Sequence, residues 1–421
     1  MPDPDIRQRI LAAVDTAFDE QLAFTAELIA EPSLRADEAD AQDLLYRAME
    51  SRGLEMDRWE IDSEELRNHV GYGPSTVSYE NSVNVVGTYK PRTTAGRSLI
   101  LNGHVDVVPT GPEDTWSRSP WHAEMKDGWL YGRGAGDMKA GLVANLFALD
   151  AVRAAGLAPT AEIIVQSVVE EECTGNGSLA ALLRGYTADA VLIPEPEENM
   201  LVRANVGVLW FKVRVAGEPT HPREMSTGFN AIDSAYTVMA SLRKLEEKWN
   251  EQRSSHRYFE DLEHPINFNF GKIVGGDWPS SVPAWCEIDV RVAIYPGTTA
   301  DQAWQELQDC LDSTGLPLTA TKTGFYSEGY VLEEGSDAEA VLAGAHREAF
   351  GTELQSFTTP GYLDGRVFTL YGNTPTLVYG PVSEAIHGFD ERVEIESVRR
   401  ITKAIALFIA EWCGVEDNQA G

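Results

Sequence analysis

The chain lacks several features that would each point to a particular class of protein. Its four cysteines lie far apart and form no Cys-x-x-Cys pair, so neither a disulfide framework nor a zinc ribbon is expected. No stretch approaches the ~18 consecutive apolar residues that a membrane span requires. The N-terminal residues show no basic segment followed by an apolar one, so we expect no secretory signal. These absences favour a cytoplasmic protein.

Positive charge is also scarce. The 421 residues include 34 Lys and Arg against 66 Asp and Glu, which gives a formal net charge of −32. A chain this acidic repels phosphate backbones and anionic lipids, so we expect neither nucleic acid nor membrane as a partner. The plainest interpretation is a solvated acidic surface, and the alternative is steering of cationic ligands.

Alternating strands and helices predict an α/β fold for most of the chain. Hydrophobic periodicity predicts helices at about 5–30, 36–52, 138–155, 338–350 and 395–412, and strands at 84–89, 98–101, 163–169, 190–193 and 376–379. Continuous apolar strands separated by helices are typical of a mostly parallel sheet that helices cover on both faces.

The pattern changes near Gly207. From residue 209 to about 326 the predicted order is strand, helix, strand, strand, helix, strand, which is the ferredoxin-like α+β arrangement. Since α/β sequence resumes afterwards, we predict an inserted domain at 208–326, between two parts of one larger domain at 1–207 and 327–421.

Acidic and histidine side chains follow the apolar strands. Hydrophobic packing gives no reason for polar residues at these positions. These residues are His104, Asp106, Asp137, Glu171, Glu172, Glu195 and His387. The carboxyl ends of parallel strands meet at one sheet edge, so we expect these groups to converge. Carboxylates mixed with imidazoles suit Zn²⁺, Mn²⁺ or Co²⁺ better than Ca²⁺. If five of these seven groups bind metal, they exceed the three protein ligands of a mononuclear catalytic zinc, which favours two ions sharing one carboxylate.

Each of these residues also has a simpler interpretation. His104 taken alone is consistent with a hydrogen-bonded histidine at a strand end. Asp137 is well placed to cap a helix that begins at Met138. Glu170–Glu172 is consistent with a solvated acidic loop, and Glu197 and Glu198 are interpreted as surface residues.

Two longer stretches surround His104 and Asp137. Leu101–Pro109 reads Leu-Asn-Gly-His-Val-Asp-Val-Val-Pro, and Gly128–Gly141 reads Gly-Trp-Leu-Tyr-Gly-Arg-Gly-Ala-Gly-Asp-Met-Lys-Ala-Gly. Together they resemble the M20 metallopeptidase family, which contains acetylornithine deacetylase, succinyl-diaminopimelate desuccinylase, aminoacylase and glutamate carboxypeptidase. The resemblance extends over essentially the whole chain. It implies a zinc-exopeptidase-like catalytic domain, with the inserted domain acting as a lid and dimerisation domain.

The resemblance also implies a metal-binding role for particular residues. His104 and Glu195 would bind one ion, Glu172 and His387 the other, with Asp137 bridging the two. The cofactor implied is a pair of divalent ions, with Zn²⁺ favoured and Co²⁺ or Mn²⁺ as alternatives.

Three further residues receive catalytic roles from the resemblance. Glu171 would be the general base, and Asp106 would hold the imidazole of His104. His221 matches a lid histidine that reaches a neighbouring subunit's active site in dimeric relatives. The family usually has Asp where this chain has Glu170, so a slip of one residue, with Glu170 as base and Glu171 as ligand, stays open.

The resemblance assigns a smaller set of residues to the substrate. Arg291 matches an arginine that grips a substrate carboxylate, and Gly361 and Arg366 match a substrate-side loop. Ser280 stands where many relatives have an Asn that helps to hold substrate.

Together these observations predict a dimetal amidohydrolase that acts as a homodimer on a small N-acylated amine. The main alternative is a dipeptidase or carboxypeptidase with the same metal centre. A binding protein without catalytic activity is the third possibility, although no predicted ligand or base is missing.

Overall fold

The structure is a computed structural model that describes residues 2–418. The helices are α1 (Pro4–Ala30), α2 (Ala39–Ser51), α3 (Ser63–Leu66), α4 (Ala140–Ala154), α5 (Asn176–Leu183), α6 (Ala231–Asn250), α7 (Ala300–Asp312), α8 (Asp337–Phe350) and α9 (Ile395–Trp412). The strands are β1 (Glu55–Glu60), β2 (Val83–Tyr89), β3 (Leu99–His104), β4 (Glu124–Lys126), β5 (Trp129–Tyr131), β6 (Leu157–Pro159), β7 (Ile163–Val168), β8 (Ala190–Ile193), β9 (Leu201–Asn205), β10 (Gly207–Ala216), β11 (Phe268–Gly275), β12 (Trp285–Ile294), β13 (Leu318–Ser327), β14 (Tyr330–Val331), β15 (Ser356–Thr359), β16 (Thr376–Val378), β17 (Ser383–Glu384), β18 (Arg392–Glu394) and β19 (Val415–Asp417).

The central sheet has the strand order β1-β2-β7-β3-β8-β16. β7, β3, β8 and β16 are parallel to one another, whereas β2 and β1 extend one edge in antiparallel pairing. Every residue of β3, β7 and β8 is buried. Because successive side chains of a strand point to opposite faces, such burial requires cover on both faces of the sheet. The prediction of a mostly parallel, doubly covered sheet is confirmed.

The antiparallel edge of the sheet was not predicted. The sequence of β1, Glu-Met-Asp-Arg-Trp-Glu, is rich in charged residues and offers no apolar run to recognise. Charged residues are typical of an edge strand, where they discourage pairing with other chains.

A second sheet with the order β11-β12-β10-β13 is antiparallel throughout. Helices α6 and α7 pack against this sheet around a separate core that includes Phe211, Ile288 and Leu307. The order of the six elements is the predicted ferredoxin-like one. We call residues 208–326 the lid, and its sheet extends one residue beyond each end of that range.

Smaller sheets lie beside the two large ones, with the orders β14-β9-β15 and β19-β6. A sheet with the order β17-β18-β5-β4 joins the C-terminal part of the chain to the turn before α4. All four cysteines are unpaired. Within residues 2–418, no helix combines the length and apolar character needed to cross a membrane.

Candidate metal centre

The carboxyl ends of three neighbouring strands meet at one edge of the central sheet. His104 is the last residue of β3, and β3 pairs with both β7 and β8. Glu171 and Glu172 follow β7, and Glu195 follows β8. Adjacent parallel strands therefore carry the imidazole and the carboxylates to one place, as the sequence predicts.

Asp137 and His387 reach this edge from outside the central sheet. Asp137 lies in the turn between β5 and α4, and His387 lies in the loop between β17 and β18 with a φ of 60°. The pairing of β18 with β5 makes these two segments neighbours. Asp137 Oδ1 lies 3.1 Å from His104 Nε2, and Asp137 Oδ2 lies 3.2 Å from His387 Nε2. Its carboxylate thus faces one imidazole with each oxygen.

The remaining two carboxylates flank Asp137 on opposite sides. Glu172 Oε2 lies 3.1 Å from His387 Nε2, and Glu195 Oε1 lies 3.7 Å from His104 Nε2. Ligand atoms of His104, Asp137 and Glu172 all lie within 4.8 Å of one another. All five residues predicted to bind metal are therefore brought together, in the pairing that the resemblance implies.

This cluster holds more carboxylates than imidazoles, so added cations would stabilise it. Burial raises the pKa of both Glu171 and Glu195, and neighbouring carboxylates raise it further, although His104 opposes the shift. Glu195 Oε1 is buried and has no hydrogen-bond partner among the described residues. Buried carboxylates in excess of their imidazole partners are stable when they coordinate cations. The donor set therefore fits divalent metal ions.

Asp106 holds both the histidine and the Glu171–Glu172 turn. His104 Nδ1 lies 2.9 Å from the backbone oxygen of Asp106 and 3.5 Å from its carboxylate. Because a carbonyl oxygen only accepts, Nδ1 carries the proton and Nε2 is free to bind a metal. The Asp106 carboxylate accepts from the backbone N–H groups of Glu171, at 3.3 Å, and Glu172, at 3.1 Å. The expected carboxylate contact to His104 is thus the weaker of two, and the carboxylate mainly orients the glutamate pair.

A buried ion pair fixes the turn that carries Asp137. Glu391 Oε1 accepts from the backbone N–H groups of Gly136, at 3.0 Å, and Asp137, at 3.1 Å. Arg133 Nη1 donates to Glu391 Oε2 at 2.5 Å, and both side chains are 1% exposed. Helix α4 begins only at Ala140, so Asp137 is not its N-cap. This pair was not predicted from the sequence, although Arg133 lies within the Gly128–Gly141 motif.

Glu170 is committed to contacts away from the cluster. Its carboxylate accepts hydrogen bonds from Nε and Nη2 of Arg35, at 2.5 and 2.8 Å, and from the hydroxyl groups of Tyr79 and Thr174. Glu170 is fully buried and has a φ of 66°. This arrangement disfavours the alternative in which Glu170 is the base and Glu171 a ligand.

A cavity of about 880 Å³ separates the cluster from the open face of the lid sheet. Glu171, Arg291 and Gly361 line it, as does Glu197. The interpretation of Glu197 as a surface residue is therefore wrong, because its side chain is half-buried and faces this cavity. Burial raises the pKa of Glu197 to about 8. Glu198, in contrast, is exposed as expected.

Three other predicted residues lie outside this cavity. Arg366 is fully buried, and its guanidinium group donates to the hydroxyls of Tyr362 and Tyr371 and to the Gly71 carbonyl. These bonds place Arg366 behind Tyr362, which does line the cavity. His221 and Ser280 are exposed on the lid and do not line this cavity of the described chain.

Comparison with known proteins agrees with this architecture. Residues 100–411 match the sequence profile of peptidase family M20/M25/M40. The chain is 28% identical to N-formyl-4-amino-5-aminomethyl-2-methylpyrimidine deformylase of Halalkalibacterium halodurans, over 96% of this chain and 97% of that protein. It is 27% identical to succinyl-diaminopimelate desuccinylase of Acidovorax ebreus, over 90% and 94% of the two chains.

Solved structures share the fold at lower identity. The dipeptidase Dug1p of Saccharomyces cerevisiae aligns with a TM-score of 0.79 at 15% identity, over 97% of this chain and 98% of that one. A metallo-carboxypeptidase of Sulfolobus solfataricus aligns with a TM-score of 0.72 at 16% identity, over 94% and 99%. At such identities the similarity establishes the fold alone.

The Arg35–Glu170 pair yields a stability prediction. Arg35→Ala leaves the Glu170 carboxylate buried without its cation, so we expect the free energy of unfolding to fall by about 3–5 kcal/mol. Arg184→Ala is the matched control, because its pair with Asp57 is partly exposed and worth at most about 1 kcal/mol. Urea denaturation of both variants measures the difference, and equal losses would contradict this assignment.

Proposed function

Since the chain belongs to peptidase family M20/M25/M40, we propose that it is a dimetal hydrolase that removes the acyl group from a small N-acylated amine. The observation that carries this proposal is the Asp137 carboxylate, which faces His104 with one oxygen and His387 with the other. A carboxylate in that position suits a bridge between two cations.

The proposed ligands form two half-sites that share this bridge. His104 and Glu195 hold one ion, and Glu172 and His387 hold the other. Zn²⁺ is the ion we propose first, with Co²⁺ or Mn²⁺ as alternatives. When bound, such a pair acidifies water and polarises the amide carbonyl of a substrate.

Glu171 is the proposed general base. Its carboxylate lines the cavity, and Glu171 Oε2 lies 3.8 Å from His104 Nε2. It takes a proton from the water as the water oxygen bonds to the acyl carbon. It then delivers that proton to the amine nitrogen as the C–N bond breaks.

The two curated relatives named above, a deformylase and a desuccinylase at 27–28% identity, support a deacylase. The dipeptidase and the metallo-carboxypeptidase compared above are 15% and 16% identical to the chain. A dipeptidase or carboxypeptidase with the same centre is the second candidate, because the fold and the cavity suit both.

The charged side chains around the cavity limit which amines the substrate can contain. Of the described residues that line it, the arginines are Arg35 and Arg291, and Arg35 is bound to Glu170. Arg291 is the guanidinium left to meet a substrate carboxylate, and the acidic side chains of Glu197 and Asp289 line the same cavity. We therefore propose an amine with no more than one carboxylate.

The net charge of the chain and its cysteines indicate its partners and its location. A net charge of −32 disfavours nucleic acid and anionic membrane surfaces as partners. Four unpaired cysteines suit the reducing environment of the cytoplasm, which is the compartment we propose.

Hydrolysis of a defined panel tests the activity. Enzyme stripped with a chelator and restored with Zn²⁺, Co²⁺ or Mn²⁺ is assayed on N-formyl, N-acetyl and N-succinyl amines and on dipeptides. We expect metal-dependent release of free amine from one acyl class. Cleavage of dipeptides alone would support the second candidate, and silence across the panel with about two ions bound would contradict an enzyme of this type.

Two variants separate the base from the ligands. Glu171→Ala is expected to lower turnover by at least ~10²-fold, the usual range for a lost general base, while metal content stays unchanged. His387→Ala is expected to lower the metal content, since it removes one ligand of a half-site. Glu198→Ala, at an exposed neighbouring carboxylate, is the control and should change neither. Near-normal turnover of Glu171→Ala would contradict the assigned base.

The lid offers a surface for a second copy of the chain. β11 is an edge strand of the lid sheet, and Ile273 and Val274 on it are each 47% exposed. Met225 and Trp278 nearby are 56% and 67% exposed. An exposed apolar edge strand is a ready template for strand pairing, so we propose a homodimer through the lid.

Ile273→Lys tests this dimer. Light scattering should give about twice the 46.3 kDa chain mass for the unaltered protein and a shift towards one chain for the variant, because a buried charge opposes pairing. Val70→Lys, at an apolar residue that is 70% exposed outside the lid, is the control and should stay dimeric. A monomeric unaltered protein would overturn the proposal.

A further inference from the structure

The lid sheet is interrupted opposite Trp210. Leu209 of β10 pairs with Tyr326 of β13, but Phe211 pairs with Lys322, so Trp210 faces three residues of β13 instead of one. Such a bulge bends its strand and redirects side chains, and bulges occur preferentially beside active sites. Here it turns the middle of β13 towards the cavity.

The Trp210 ring packs on Gly324, which lies at the centre of the bulge. A Cβ atom on Gly324 would lie 2.6 Å from Trp210 Cε3 and 2.9 Å from the backbone oxygen of Cys173. The indole therefore packs directly on the backbone of β13. The same backbone contacts the residue that follows Glu172, so the bulge lies against the turn that carries the proposed base and ligand.

Three aromatic rings form a continuous wall of the cavity, which we call the aromatic wall. Trp210 meets Phe325 edge-on, with ring centroids 5.1 Å apart at 88°, and Phe325 lies 4.2 Å from Tyr362 at 39°. All three line the cavity together with Glu171 and Glu172. The Tyr362 hydroxyl donates to Asp364 at 2.9 Å and accepts from Arg366. The wall is thus held rigidly before any ligand arrives.

We infer that the aromatic wall makes the enzyme selective for amines that carry a planar aromatic ring beside the scissile amide. Aromatic faces and edges attract another ring beyond the contact area alone, whereas a saturated ring of the same size lacks that term. A wall held in place by backbone packing and hydrogen bonds pays little ordering cost on binding. The inference rests on the proposed function, because it places the ring on the amine of an N-acyl substrate.

A matched substrate pair tests this inference. N-formylbenzylamine and N-formyl-cyclohexylmethylamine have the same acyl group and similar size, and differ in whether the ring is planar. We expect kcat/KM to be about tenfold higher for the benzyl compound with the metal-loaded enzyme, through a lower KM. Equal values for the two compounds would overturn the inference.

Variants assign the preference to the wall. Trp210→Leu should abolish most of it by raising KM for the benzyl compound, whereas Trp210→Phe keeps a flat face and should retain part of it. Trp304→Leu is the control, because Trp304 is a half-buried lid tryptophan that packs on Phe211 and does not line this cavity. Circular dichroism confirms that each variant is folded. An unchanged preference in folded Trp210→Leu and Trp210→Phe would contradict the role of the wall.

Binding of the product amines separates this inference from the proposed function. Calorimetry should show tighter binding of benzylamine than of cyclohexylmethylamine, and the difference should vanish in Trp210→Leu. If that holds while no N-acyl compound is hydrolysed, the wall stands and the proposed function fails. If N-formyl compounds are hydrolysed without ring preference in rate or binding, the proposed function stands and the wall fails.

Discussion

The accumulation of buried carboxylates at one edge of the central sheet is the constraint on which the rest of the structure depends. Among residues 2–418, Asp137, Glu171, Glu172 and Glu195 converge there with the imidazoles of His104 and His387. Such a concentration of negative charge is costly in a protein interior unless cations neutralise it. The surrounding structure therefore has to hold each oxygen in place while leaving it free for a cation.

Buried polar contacts behind the cluster meet this requirement. Asp106 orients the glutamate turn through two backbone N–H groups, and Glu391 does the same for the turn of Asp137. Arg35 neutralises Glu170 and keeps that carboxylate out of the cluster. The ligand oxygens are thereby positioned mainly through their backbones, which leaves their side chains available.

The lid forms the wall of the cavity that faces the carboxylate cluster, and its side chains differ in chemistry from those of the cluster. Its open face presents Arg291 and Asp289, and beside the bulge it presents the rings of Trp210 and Phe325. A small amide held between this face and the cluster would meet its reacting groups on one side and its selective contacts on the other.

The sequence predicts the central sheet, the lid and the convergence of the cluster because these depend on local patterns. His104 and Glu195 stand out as polar residues that end or follow apolar strands, and Asp137 stands out in a glycine-rich turn. Contacts between distant residues leave no such pattern. Arg35 and Glu170 are 135 positions apart, and Asp137 and Glu391 are 254 apart. The aromatic wall likewise requires a bulge that shifts the register of two strands, and periodicity does not reveal it.

The most direct test of the bridged metal pair is the anomalous diffraction of zinc-loaded crystals, collected on both sides of the zinc absorption edge. We expect two zinc peaks at the edge of the central sheet, each beside one oxygen of Asp137. One should lie with His104 and Glu195, and the other with Glu172 and His387. A single peak, or two ions of which only one contacts Asp137, would contradict the bridged pair on which the proposed chemistry rests.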